Sequence, residues 1–221
     1  MTETPFGESL DREREIGITG KARPHWMQAG TIAFITMRLA DSIPREVIRR
    51  WNQMRIDYLA DKGIRCSDWK TGREQLEEVD RTDFARRFNR LREQELDTCH
   101  GACLLRSPAA ADILSETLMF FDGERYVMGD FVILPNHVHL LVAFYDDTNL
   151  RKQCASWMRY SAREINRLVG RVGALWQEEP FDHLVRSEDQ LEYLRRYIAE
   201  NPRKARLPEG QYLYRRSEHH F

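Results

Sequence analysis

Residues 125–144 read RYVMGDFVILPNHVHLLVAF, and they contain the clearest pattern for predicting the fold. It holds two apolar segments, rich in Val, Ile, Leu and Phe, on either side of the dipeptide Pro135-Asn136. β-Branched and aromatic residues are favoured in strands, and a Pro-Asn pair between two such segments is typical of a turn. The stretch therefore predicts a β-hairpin of two apolar strands.

Strands and helices are predicted on both sides of the hairpin. Upstream, Gly30–Leu39 is short, β-branched and aromatic, which predicts a buried strand. From Pro44, apolar residues recur every three or four positions, so a helix is predicted to begin there. Leu175-Trp176 and Phe181–Val185 predict short strands. Three more segments have the caps and periodicity of helices: Ser107–Phe121, Asp146–Val169 and Ser187–Asn201, the last stopped by Pro202.

This order of elements predicts an α+β fold, a ferredoxin-like antiparallel sheet covered by helices. The highly charged stretch near 45–100 interrupts that order, and we expect a helical insertion there. The predicted organisation is an N-terminal extension at 1–29, one domain at 30–207 that carries the insertion, and a C-terminal tail at 208–221. A chain of 221 residues is long enough for one core with such an elaboration.

The composition is typical of a globular protein that stays in the cytoplasm. Charged residues make up 31% of the chain and hydrophobic residues 42%. No apolar run approaches the ~20 residues of a membrane span, and the N-terminus lacks the apolar core of a signal peptide. No membrane contact is therefore expected. The four cysteines are too few for a disulfide scaffold, so free thiols are expected.

Basic residues are concentrated in the C-terminal third of the chain. The net charge of the whole chain is −1, which by itself gives no indication of a nucleic-acid partner. Residues 151–216, however, contain 14 Lys and Arg against 9 Asp and Glu. This third of the chain is therefore predicted to present a basic face.

Two histidines in the second hairpin strand are candidates for chemistry. His137 and His139 are two positions apart, and because side chains alternate along a strand, both rings point to the same face. A pair of imidazoles on one face forms a bidentate platform for a metal ion. Two histidines satisfied by backbone groups and water would give the same pattern, so the spacing alone leaves both interpretations open.

A nucleophile and a further ligand are sought on the last helix. Tyr197 and Asn201 are four positions apart, which places them on one helical face, and Tyr193 lies one turn earlier. A phenol with a pKa of ~10 is a poor nucleophile unless the charge of its target is neutralised, for example by a metal ion on a phosphate. Spacing alone favours the alternative that Tyr193, Leu194, Tyr197 and Ile198 form a core-facing stripe.

Other candidate residues have less specific patterns. Cys99 and Cys103 flank His100, but no second ligand pair follows at zinc-site spacing, so ordinary thiols are expected. The pair His219-His220 lies at the chain end, where fraying is expected. His183, after Asp182, is a candidate for orienting a phosphate or a ligand.

Three blocks of the sequence resemble the REP-associated tyrosine transposases, which are members of the single-tyrosine HUH nuclease group. The blocks are Phe131–Leu141, Leu175–His183 and Tyr197–Ala205, and they occur in the same order as in that family. The resemblance covers Gly30–Leu39 and Leu105–Leu207. It leaves the charged stretch near 45–100 outside.

The resemblance implies a transposase-like endonuclease and strand transferase. Tyr197 would attack a DNA phosphate, forming a 5′-phosphotyrosine link and freeing a 3′-hydroxyl. His137 and His139 would bind Mg²⁺ or Mn²⁺, and Asn201 matches the position of a further polar ligand. The implied substrates are single-stranded DNA and hairpins of repeated extragenic palindromes. A monomer or homodimer associated with the nucleoid is expected.

The basic C-terminal third is then the expected DNA-binding surface, with aromatic rings that stack on unpaired bases. The expected DNA-binding residues are Arg151, Lys152, Arg159, Arg163, Trp176, His183, Arg186, Arg203 and Lys204, with Trp157 and Tyr160 as further stacking candidates.

Two other functions are consistent with parts of the pattern. The first is a protein that binds DNA hairpins without cutting them, which would give tight metal-independent binding. The second is a nucleotide phosphohydrolase of the histidine-triad type. That class needs a third histidine at position 141, where this chain has Leu141, so it ranks last.

Overall fold

The computed structural model describes residues 7, 9–10, 17–19, 25–27, 30–145, 150–178 and 180–218. The chain divides into two compact units. The first contains residues 1–40 and 103–221, and the second contains residues 41–102. Within the described ranges, no helix combines the length and apolar character that a membrane crossing requires.

The first unit is built on an antiparallel sheet of five strands. These are β3 (Ile32–Arg38), β4 (Tyr126–Leu134), β5 (His137–Phe144), β6 (Phe181–Leu184) and β7 (Leu213–Arg215). Their order across the sheet is β6-β3-β5-β4-β7. A separate two-stranded sheet pairs β1 (Gly17–Thr19) with β2 (His25–Met27). The predicted α+β class with an antiparallel sheet flanked by helices is confirmed.

The predicted hairpin forms the centre of this sheet. Strands β4 and β5 pair in antiparallel fashion, with Leu134 opposite His137 next to the Pro135-Asn136 turn. A bulge interrupts the register between Met128 and Phe131. Every residue of both strands is buried, because helices cover the two faces of the sheet and leave neither open to solvent.

Different helices cover the two faces of the sheet. Helices α4 (Pro108–Met119) and α5 (Leu150–Leu168) share a core with Ile35 and Leu140. Helix α6 (Glu188–Lys204) packs on the opposite face. Since side chains alternate along β5, the odd positions 137, 139 and 141 face α6, whereas position 140 faces α4 and α5.

The C-terminal end of α6 differs from the prediction. The sequence predicts that this helix ends at Asn201, but the helix continues through Pro202 to Lys204. A proline nitrogen carries no hydrogen, so only one backbone bond of the last turn is missing. The next bonds form, from the nitrogen of Ala205 to the carbonyl of Asn201 and from Leu207 to Pro202. The expected cap is present, since Ser187 Oγ accepts a bond from the backbone of Gln190 at 3.2 Å.

The second unit consists of helices α1 (Arg45–Asp61), α2 (Trp69–Glu74) and α3 (Glu78–Asp97). It lies in the stretch where the sequence predicts a helical insertion. Tyr58, Leu59, Phe84 and Phe88 form a small buried core between these helices. The strand β7 lies in the segment assigned to the tail, where it extends the sheet of the first unit next to β4.

Candidate metal and nucleophile site

The two histidines lie under helix α6 on the sheet face that this helix covers. His137 begins β5, directly after the turn, and His139 follows two residues later. The side chains are only 2% and 3% exposed, respectively. Strand β3 lies beside them, with Arg38 paired to His137 and Thr36 paired to His139. The strand register therefore fixes which polar groups meet the two rings.

Each histidine ring is held at Nδ1 and faces its neighbour at Nε2. The Nδ1 atom of His137 lies 2.7 Å from Oδ1 of Asn136, and that of His139 lies 2.8 Å from Oγ1 of Thr36. The two Nε2 atoms are 3.1 Å apart. An amide oxygen can only accept, so Nδ1 of His137 carries the hydrogen and its Nε2 keeps a lone pair when the ring is neutral.

The environment keeps the His137 ring neutral. Burial, together with the charge of Arg38, lowers the pKa of His137 from its ordinary 6.5 to about 3. A neutral imidazole is the form that coordinates a metal ion. At neutral pH the Nε2 lone pair of His137 is therefore available to a cation or to a hydrogen-bond donor.

The Thr36 hydroxyl allows the pair to adopt two protonation patterns. When the hydroxyl donates to Nδ1 of His139, the Nε2 hydrogen of His139 points at the lone pair of His137, and the two rings share a hydrogen bond. When the hydroxyl accepts from Nδ1, His139 as well as His137 carries a lone pair at Nε2. Neighbouring ligands of an octahedral cation with bonds of about 2.1 Å lie about 3.0 Å apart, close to the observed separation.

Tyr197 on α6 brings its hydroxyl to this pair. Its oxygen lies 3.4 Å from Nε2 of His139. The half-buried ring packs edge-on against His139 and Phe34, with centroid distances of 5.3 and 6.1 Å. The Nζ atom of Lys204 lies 5.4 Å from the centre of the ring. The phenol is thus positioned by aromatic packing and has a cation close to its π face.

Asn201 supplies the observation that tests whether the site fits a metal ion. It lies one helical turn after Tyr197, is 2% exposed, and its Oδ1 atom is buried without a hydrogen-bond partner. A buried carbonyl oxygen without a donor costs roughly 1–3 kcal/mol, so a partner is expected for it. An amide oxygen is a ligand that Mg²⁺ and Mn²⁺ accept, and the residues therefore fit the ion.

Other side chains that could bind a metal ion are not clustered in the described part of the chain. In the ranges that the structure describes, no group of three His, Cys, Asp or Glu side chains is placed to hold a metal ion. The protein ligands would be the two imidazoles and the Asn201 amide. Water and substrate oxygens would fill the remaining positions, as is usual for Mg²⁺ at phosphate-transfer sites.

The predicted DNA-binding residues do not lie on one surface. Arg151, Lys152, Arg159 and Arg163 belong to α5, which covers the face of the sheet opposite to the histidines. Arg203 and Lys204, in contrast, belong to the last turn of α6. The basic stripe expected from the sequence is therefore divided between two layers of the fold.

The tryptophans expected to stack on bases are buried. Trp176 is 6% exposed and its indole nitrogen donates to Ser161 Oγ at 3.0 Å. Trp157 is 1% exposed and donates to the hydroxyl of Tyr126. Burial leaves little of either ring open for stacking on a base, and the DNA-binding role of Trp176 stays a prediction. Tyr160 is 49% exposed, and its stacking role stays a prediction.

His183 belongs to the same aromatic group as Phe34 and Tyr197. It lies opposite Phe34 on β6, with ring centroids 5.3 Å apart. Burial and the charge of Arg186 lower the pKa of His183 to about 4. The ring is therefore neutral at physiological pH, so its predicted role in orienting a phosphate would rest on a hydrogen bond without charge.

Sequence reasoning missed the residues that orient the histidines. Thr36 reaches His139 only through the pairing of strands that are 103 residues apart, and a single sequence does not show this register. The Pro135-Asn136 pair predicts a turn. The position of Asn136 directly before His137 is the signal that could have indicated its contact with the ring. The position of Lys204 near the Tyr197 ring could have been inferred from their separation of seven residues, two helical turns.

Comparisons with known proteins give one structural similarity. No protein-family model matches the chain, and no curated protein sequence matches it. A solved structure, described as the REP-associated tyrosine transposase bound to a REP hairpin, aligns with a TM-score of 0.46 and 15% sequence identity. The alignment covers 84% of this chain and 74% of the other. A similarity of this size does not transfer a function to the chain.

Proposed function

We propose that this chain is a metal-dependent, tyrosine-type nickase and strand transferase that acts on single-stranded DNA beside hairpins. One observation carries the proposal. The Tyr197 hydroxyl lies 3.4 Å from Nε2 of His139, which is itself 3.1 Å from Nε2 of His137. This arrangement joins a nucleophile to a two-nitrogen metal platform on one face of the sheet.

Tyr197 is the proposed nucleophile. Its oxygen forms a bond to the phosphorus of a DNA phosphodiester, and the bond from phosphorus to the 3′-oxygen breaks. The 5′-phosphate remains on Tyr197, and the departing 3′-oxygen takes up a proton to become a hydroxyl. A phenol of ordinary pKa ~10 is protonated at neutral pH, so its proton leaves as the new bond forms, and this proton balances the one that the 3′-oxygen takes up.

His137, His139 and Asn201 would hold the ion, which is Mg²⁺ or Mn²⁺. A bound cation supplies charge stabilisation to the non-bridging oxygens of the phosphate. Imidazole nitrogens suit Mn²⁺ better than Mg²⁺, so tighter binding of Mn²⁺ is expected in vitro. Asn136 and Thr36 keep the two rings oriented whichever ion is present.

The choice of DNA rests on the sequence resemblance of three blocks together with the chemistry of the site. A tyrosine beside a metal platform suits transfer of a phosphodiester, and the resemblance indicates hairpins of repeated palindromic DNA. On α6, Arg203 is exposed in the last turn and is a proposed contact for the backbone of the strand being cut. Arg151, Lys152, Arg159 and Arg163 on α5 are proposed contacts for a part of the DNA farther from the nucleophile.

The test is formation of a covalent complex. The chain is incubated with Mn²⁺ and labelled single-stranded palindromic repeats, and adducts are separated on a denaturing gel. The variant Tyr197→Phe keeps the ring packing and is expected to abolish the adduct. Tyr193→Phe is the matched control, because Tyr193 lies one turn earlier, is 64% exposed and stacks on Tyr197. An unchanged adduct in Tyr197→Phe would contradict the proposal.

A second candidate function is a protein that holds DNA hairpins without cutting them. The observation that favours it is the His137–His139 contact, because the two rings can satisfy each other through one shared hydrogen without any ion. Tight hairpin binding in EDTA, with no adduct in Mn²⁺, would support this function over the nickase.

A further inference from the structure

Helix α3 of the second unit presents three arginines to one side. Arg86, Arg87 and Arg90 are all exposed, and they line a groove of about 350 Å³ between α1 and α3. Met54 and Leu91 supply apolar side chains to the same groove. The remaining lining residue is Asp83, so three cations and one carboxylate face this space.

The positive charge of the groove is not cancelled locally. Within the described part of the chain, none of the three guanidinium groups has a carboxylate within the 4.0 Å of an ion pair. The Asp83 carboxylate instead accepts the hydroxyl of Tyr58 at 3.1 Å. Residues 41–102 contain 13 basic and 13 acidic residues, so the patch is a local feature of a unit without net charge.

We propose that Arg86, Arg87 and Arg90 bind the phosphodiester backbone of DNA. Guanidinium groups match phosphate oxygens with two parallel hydrogen bonds. Positions 86 and 90 are separated by about 6 Å along the helix, similar to the roughly 7 Å over which a strand advances by two nucleotides. The choice of DNA as the partner rests on the proposed function, and it places a second DNA contact on the unit that lacks the tyrosine.

The lining of the groove indicates contacts to phosphates and not to bases. Met54 and Leu91 are its apolar lining residues, and neither has an aromatic ring on which a base can stack. Arg87 lies over the ring of Tyr58, 5.8 Å from its centre, which limits the motion of this guanidinium. Binding through this patch is therefore independent of sequence and strongly dependent on salt.

The experiment compares two triple variants of the full-length chain. Arg86→Gln/Arg87→Gln/Arg90→Gln removes the patch. The control Arg45→Gln/Arg65→Gln/Arg73→Gln removes the same charge from exposed arginines of the same unit that do not line the groove. Binding of a fluorescent DNA hairpin with a single-stranded flank is measured by anisotropy in EDTA over a salt series, and circular dichroism verifies folding.

The patch variant is expected to bind at least about tenfold more weakly at low salt. Its plot of log K against log salt concentration should be less steep by about 2 to 3, since each lost phosphate contact removes roughly 0.7–0.9 from the slope. The control should keep the affinity and slope of the parent chain. The loss should be equal for hairpins of unrelated sequence.

Three outcomes would overturn the inference. The patch variant could retain the parent affinity, the control could lose as much as the patch variant, or an acidic peptide could bind the patch while DNA does not. The adduct assay separates this inference from the proposed function. An adduct that depends on Tyr197 together with unchanged hairpin binding by the patch variant refutes only the patch. Lost binding without any adduct in the parent chain refutes only the nickase.

Discussion

Replacement of Thr36 by valine is expected to weaken binding of Mn²⁺ and to leave the fold intact. The substitution keeps the shape of the side chain and removes the hydroxyl that lies 2.8 Å from Nδ1 of His139. Thr36 is 5% exposed, so water does not readily replace the lost group. To bind a cation through Nε2, His139 must carry its hydrogen on Nδ1, and the variant removes the Thr36 hydroxyl that accepts this hydrogen.

The size of the effect follows from the cost of removing the partner of a buried hydrogen-bonding group. That cost is about 1–3 kcal/mol. Since about 1.4 kcal/mol corresponds to a factor of ten, the dissociation constant of Mn²⁺ should rise about 10–100-fold. In the metal-free chain His139 can place its hydrogen on Nε2 and donate it to His137, so the variant removes a donor from an Nδ1 acceptor, which costs less than removing the acceptor of a buried N–H. The loss of affinity should therefore exceed the loss of folding stability.

The assay is calorimetric titration of the full-length chain with Mn²⁺, with urea unfolding in EDTA as the measure of stability. Thr36→Ser retains the hydroxyl and should restore most of the affinity. Thr117→Val is the matched control, because Thr117 is 7% exposed and its hydroxyl donates to the carbonyl of Ile113 within α4. This control removes a buried hydroxyl from the face of the sheet that does not hold the histidines.

Two results would refute this reasoning. If Thr36→Val folds and binds Mn²⁺ as tightly as the parent chain, the hydroxyl does not control the tautomer of His139. If Thr36→Val and Thr117→Val lose the same affinity, the effect comes from general destabilisation. Absence of Mn²⁺ binding by the parent chain would contradict the proposed metal site itself.

Two further predictions concern buried polar groups near the site. Asn201→Leu should leave the free energy of unfolding in EDTA unchanged or raised, because the buried Oδ1 has no hydrogen bond to lose. The affinity for Mn²⁺ should fall. Urea unfolding with and without Mn²⁺ measures both quantities, and equal affinity in the variant would exclude Asn201 as a ligand. The second prediction is a pH dependence from His183, whose pKa falls from 6.5 to about 4 on folding. Between these values the unfolded chain binds a proton that the folded chain does not, so stability falls as pH decreases, by about 1.4 kcal/mol per pH unit for this group. The slope should be smaller in His183→Gln, and identical slopes for the variant and the parent would contradict the lowered pKa.

The local part of the fold could be predicted from the sequence because it depends on short-range patterns. The apolar runs around Pro135-Asn136 determine the hairpin, and the alternation of side chains along a strand places His137 and His139 on one face. The spacing of Tyr197 and Asn201 likewise determines their common helical face. These inferences need only the periods of a strand and a helix.

Which face each helix covers could not be predicted in the same way. Helix α5 is basic and α6 ends with Arg203 and Lys204, and their order in the chain suggests one continuous surface. In the structure the edge strand β6 lies between them in sequence, and they pack on opposite faces of the sheet. The burial of Trp176 likewise depends on a contact between distant parts of the chain. Its backbone forms a bridge to Leu39, and its indole donates to Ser161.

Under the proposed function, the histidine pair would change between a metal-free and a metal-binding protonation pattern. The Nε2 atoms are already at a separation that suits two ligands of one cation, and both Nδ1 atoms are held by side chains outside the pair. Only hydrogen positions at His139 and Thr36 need to change. Binding at such a site would have a small free-energy cost of rearrangement. Its affinity would therefore depend mainly on how well the Nδ1 partners hold the rings. The hydroxyl of Thr36, which has no direct contact with the ion, should therefore affect Mn²⁺ affinity more than any exposed arginine on α5.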